Sequence, residues 1–84
     1  MKIILLGSKS KVTKYKDVAM FLYGLESKDV KIYSSESSVS SKEDAVVFKP
    51  SSYKSFEANV RDLVEACGIS PADHKIIKAV SIYS

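Results

Sequence analysis

The sequence predicts a small three-layer α/β domain with the order β-α-β-β-α plus a C-terminal helix, built on a mostly parallel three-stranded sheet. Three observations lead to that class. Two uninterrupted apolar runs, Ile3–Leu6 and Ala45–Phe48, have the look of strands covered on both faces, which would alternate with polar residues if one face were open. A helical pattern with one apolar face follows each run. The chain has 84 residues, 45% hydrophobic and 27% charged, which suits one folded domain and excludes a disordered polymer. At that length roughly 60–65% of the unfolded surface can be buried, so one core is feasible with little to spare.

Ile3-Ile4-Leu5-Leu6 is the first strand, ended by Gly7. Ser8 to Lys14 is polar and reads as a loop, with Thr13 as the candidate cap of the first helix. Tyr15, Val18, Ala19, Leu22 and Leu25 supply the apolar face of that helix. Asp17 suits its positive start, and Gly24 weakens its end. Met20, Phe21 and Tyr23 interrupt the side that should meet solvent, and call for either a packed neighbour or a dimer contact.

Val30–Ser34 alternates apart from Tyr33, as a half-exposed edge strand does. The segment 34–44 contains six serines and one aliphatic residue, Val39, and is expected to be a flexible loop. Ala45–Phe48 is read as a second interior strand, stopped by Pro50, which cannot donate to a ladder. A second helix starts at Ser52 or Ser55. Its stripe is Phe56, Val60, Leu63, Val64 and Cys67, and Gly68 closes it. Cys67 falls on the stripe, where a small buried hydrophobe is the ordinary role.

The last segment is ambiguous. Ser70-Pro71-Ala72-Asp73 resembles a helix start, with Ser70 as cap and Pro71 at the first helical position. Ala72, Ile76, Ala79, Val80 and Tyr83 then share one side, although Val80–Tyr83 is locally strand-like. A helix completes the parallel domain. A strand would instead give a ferredoxin-like β-α-β-β-α-β fold with one open sheet face. The continuous apolar runs favour the parallel arrangement, with strand order 2-1-3.

Charge and chemistry bound the function. The net charge is +3, but Lys2, Lys9, Lys11, Lys14 and Lys16 fall in the first sixteen residues with no acid, leaving the remaining 68 at −2. No apolar run reaches the ~20 residues of a membrane span, and the start lacks a signal-peptide pattern. With one cysteine and one histidine there is no disulfide framework and no metal-ligand cluster, so no metal or cofactor is expected and a reducing cytoplasmic setting is. Neither a dinucleotide glycine fingerprint nor a P-loop follows the first strand, and no nucleophile elbow surrounds any of the fifteen serines. The chain is therefore not expected to be an enzyme.

Two functions remain. The first is a small non-catalytic protein-interaction module, of inhibitor or adaptor type, using Met20, Phe21 and Tyr23 against a protein partner or a second copy. The alternative is an anion-binding module. In an open parallel sheet, ligands collect beyond the carboxyl ends of the strands. The segments after the three strands are rich in Ser and Lys, and would converge there. Ser8, Lys9, Ser10, Lys11 and Lys14 would join Ser51, Ser52 and Lys54, with Lys49 alongside, around a nucleotide, a phosphate or a nucleic-acid backbone. Glu36, Glu43 and Asp44 dilute that field.

Overall fold

The first strand, β1 (Ile3–Leu6), is central because it pairs on both edges: with β2 (Val30–Tyr33) on one side and β3 (Val46–Phe48) on the other, both parallel. The computed structural model describes residues 1–38 and 44–84. The register places Ile3 beside Val30 and Val46, and Leu5 beside Ile32 and Phe48. All four residues of β1 are buried. Since strand side chains alternate, Ile3 and Leu5 share one face and Ile4 and Leu6 the other.

Among the described residues three α-helices complete the fold: α1 (Lys9–Tyr23), α2 (Phe56–Cys67) and α3 (Asp73–Tyr83). Each sends its apolar stripe into the cluster that contains Ile3 and Leu5. Val12, Tyr15, Val18 and Leu22 come from α1, Val60 and Leu63 from α2, and Ile76 and Ala79 from α3. The chain is thus a small compact α/β domain with a three-stranded parallel sheet, consistent with the three-layer class the sequence predicts. The final segment is helical, so the ferredoxin-like alternative falls away. No helix among the described residues is long and apolar enough to cross a membrane.

The structure corrects four local expectations. Helix α1 begins at Lys9, so Ser8–Lys14 is its cap and first turns rather than a loop. Thr13 lies inside it and donates its hydroxyl to the Lys9 carbonyl instead of capping. The reason is visible in Val12, which is buried and extends the Tyr15–Val18–Leu22 face by one more turn. Strand β3 is an edge strand, with Val47 43% exposed, because a three-stranded sheet has room for only one interior strand.

Helix α3 starts two residues later than the Ser-Pro signal implies, with Ala72 as its cap residue. Arg61 of α2 reaches across to the Asp73 carboxylate at 3.0 Å and holds that first turn. Within the serine-rich segment, Glu36–Ser38 forms a 3-10 turn. The expectation of a flexible loop over 39–43 lies outside the described residues.

Candidate anion-binding site

The junction from β1 into α1 is unusually short. Gly7 donates its N–H to the Tyr33 carbonyl at 2.9 Å, continuing the strand pairing, and the helix cap follows at the next residue. Gly7 holds φ at +143°, and a Cβ there would lie 2.9 Å from Val12 Cγ1. Only glycine combines that backbone with that close approach. Ser8 caps α1 by position, yet its hydroxyl makes no capping bond. The Lys11 and Val12 amides return to the Ser8 carbonyl, both at 3.0 Å, so those of Lys9 and Ser10 precede the first intrahelical bonds. No acid occupies the first turn. The positive end of the helix dipole is reinforced by lysines instead of neutralised.

The second junction, from β3 into α2, is fixed by Asn59. This amide is 2% exposed and fully used. Its Nδ2 donates to the Tyr15 hydroxyl and to the Ser51 carbonyl, each at 3.0 Å. Its Oδ1 accepts the Ser51 N–H at 2.9 Å. Ser51 Oγ in turn accepts the Tyr53 N–H at 3.2 Å, and Ser55 Oγ caps α2 by accepting the Ala58 N–H at 3.1 Å. The loop 50–55 is therefore pinned by a buried, satisfied network. Sequence reasoning passed over Asn59. Its signal was its position, three residues after Phe56 and four before Leu63 on an otherwise apolar stripe.

The two junctions face one another across the ends of β1 and β3 and enclose an open cleft of about 670 Å³. Of the sequence-predicted anion residues, Ser8, Ser10, Lys11 and Lys14 line it from the first junction. Ser51, Ser52 and Lys54 line it from the second, with Lys49 beside them. Among the described residues no carboxylate, imidazole or thiol belongs to its lining. Lys9 departs from the expectation: it lines a neighbouring groove that runs along β2. Ser34, from the serine-rich segment after β2, also lines that groove and not the cleft. Asp44 stands at the opposite end of the sheet, beside Met1 and Lys2, where it does not dilute the cleft's field. Glu43 lies outside the described residues.

The cations are not equivalent. Lys14 Nζ sits 4.7 Å from the Phe56 ring centroid and 5.9 Å from that of Tyr15, held against the aromatic wall of the cleft. Lys54 donates to Asp62 at 2.7 Å, and that hydrogen bond raises its pKa above the ordinary lysine value. Its ammonium stays charged but already has a partner. Lys11 and Lys49 make no ion pair among the described residues.

The proposed interaction side chains are engaged within the chain itself. Met20, Phe21 and Tyr23 are partly buried against the core. Phe21 meets Tyr83 of α3 edge-on, with ring centroids 6.1 Å apart. Tyr23 donates its hydroxyl to the Ile69 carbonyl at 2.7 Å, and burial pushes its pKa upward. Burial likewise raises the Cys67 thiol, which makes it a poor nucleophile at neutral pH. Comparison with family models, with curated proteins and with solved structures finds no match for this chain.

Proposed function

We propose that this domain is a non-catalytic module that holds a phosphate-bearing anion in the cleft between the β1–α1 and β3–α2 junctions. One observation carries the reading: two junctions distant in sequence bring four lysines and four serines to one cleft whose lining, among the described residues, contains no carboxylate. Ammonium groups, hydroxyls and first-turn amides are all donors, and phosphate oxygens are strong acceptors. Among the described residues the lining holds no carboxylate, imidazole or thiol to act as general base, and this reading uses its four lysines as charged donors. The protein-interaction reading rested on Met20, Phe21 and Tyr23, which pack on α3 and the core of their own chain, so the anion reading leads. A reducing, cytoplasmic setting suits a module whose single cysteine is half-buried.

Calorimetric titration with inorganic pyrophosphate tests this. Saturable binding is expected, weakened about fivefold by Lys11→Ala, which corresponds to about 1 kcal/mol for one charge-assisted contact at a solvated site. Lys78→Ala, on the exposed side of α3, should leave it unchanged. Absence of binding, or equal losses from both substitutions, would count against the cleft.

A further inference from the structure

We propose that the anion this cleft holds is the backbone of a single-stranded nucleic acid, whose bases stack on the exposed ring of Tyr53; the inference rests on the phosphate-binding reading of the cleft. The cleft does not end at one phosphate. It shares Gly7 and Ser8 with the groove along β2, which adds about 680 Å³ and contains Lys9 and Lys16. Among the described residues, carboxylates are absent from the lining of that groove as well. Lys49 and Lys11 in the cleft and Lys9 and Lys16 in the groove thus form a track that passes the carboxyl ends of β3 and β1 and continues along β2. A track of spaced cations matches a chain of phosphates better than a lone one.

The second observation is aromatic. Tyr53 is 98% exposed, between Ser52 and Lys54, which both line the cleft. An exposed ring on a floppy loop would be unremarkable, but this loop is anchored. The Ser51 backbone is held on both sides by Asn59, and the Tyr53 N–H is bonded to Ser51 Oγ. The ring is presented on a fixed stem, so little further ordering is needed when a base stacks on it. Tyr33, half-exposed at the end of β2, lines the groove beside Gly7, where groove and cleft meet. Lysines spaced along a groove with accessible rings beside them are the chemistry of single-strand binding, in which backbone charge and base faces are read together. An acidic peptide would satisfy the lysines and leave Tyr53 without a role.

Fluorescence anisotropy with a labelled oligothymidylate of about twelve nucleotides tests the inference, since single-strand sites span about 4–16 nucleotides. Tyr53→Ala should weaken oligonucleotide binding about tenfold, in line with the loss of one stacked base. Lys16→Ala should weaken it about threefold, while both variants keep wild-type affinity for pyrophosphate. The logarithm of affinity should fall with the logarithm of salt at a slope of about −3, for about four phosphates neutralised with ~0.7 counterion released at each. Equal affinity for polyglutamate, or an oligonucleotide affinity indifferent to Tyr53→Ala, would overturn the proposal in favour of generic polyanion or peptide binding. Pyrophosphate binding without oligonucleotide binding overturns this inference alone and leaves the cleft standing. Binding of neither removes both.

Discussion

Asn59→Leu is expected to lower the unfolding free energy by about 3 kcal/mol, because it strands buried polar groups without changing side-chain size much. Three bonds disappear together. The Ser51 N–H and carbonyl lose their partner, and so does the hydroxyl of Tyr15, which is itself buried. A buried polar group left unpaired costs about 1–3 kcal/mol, and partial access of Ser51 to water keeps the sum below three full penalties. The change also frees the loop that carries Ser51, Ser52 and Lys54, so pyrophosphate affinity should fall with stability. Urea unfolding followed by circular dichroism reads the first effect and calorimetry the second. A loss under about 0.5 kcal/mol, the range of ordinary surface substitutions, would show that Asn59 does not hold the loop.

Leu5→Ala should cost about as much for a different reason. Leu5 is 0% exposed at the centre of the sheet, flanked in register by Ile32 and Phe48, in the cluster that all three helices share. Truncation at such a position removes transfer energy and leaves a cavity, together about 3 kcal/mol. A domain of this length has only about 4–13 kcal/mol in total, so the variant approaches the unfolding threshold. Val47→Ala, on the exposed face of an edge strand, is the matched control and should stay within about 0.5 kcal/mol. Equal losses at the two positions would contradict the placement of the core.

Much of this architecture was legible in residue order. Ile3–Leu6 reads as buried on both faces because it is, and of the two starts open to the second helix the structure takes Ser55, as cap of α2, and not Ser52. The Ala45–Phe48 run misleads as to position. An apolar run reports side-chain chemistry, and β3 keeps Val47 in an exposed place at an edge. The start of α1 was hidden by composition, since five of the residues from Ser8 to Lys14 are serine or lysine and only Val12 betrays the helical face.

The site shows the same division. Lysine and serine after each strand could be seen, and the parallel sheet brings the first and third of these segments together. Lys9 could not be assigned, because one residue of helical rotation separates the cleft from the groove along β2. The Asn59–Ser51–Tyr15 network was illegible for a deeper reason. It joins residues 44 apart in sequence, and no local pattern records such a contact.

Phosphate-bearing anions are expected to collect in the cleft at the carboxyl ends of β1 and β3. A heteronuclear NMR titration with inorganic pyrophosphate tests it most directly, because each amide reports on its own surroundings. The predicted result is saturable shifts concentrated at the Ser8–Val12 and Ser51–Lys54 amides, with Lys75 and Lys78 on the exposed side of α3 unmoved. Shifts of equal size at Lys75 and Lys78, or scattered over every lysine with no saturation, would contradict it.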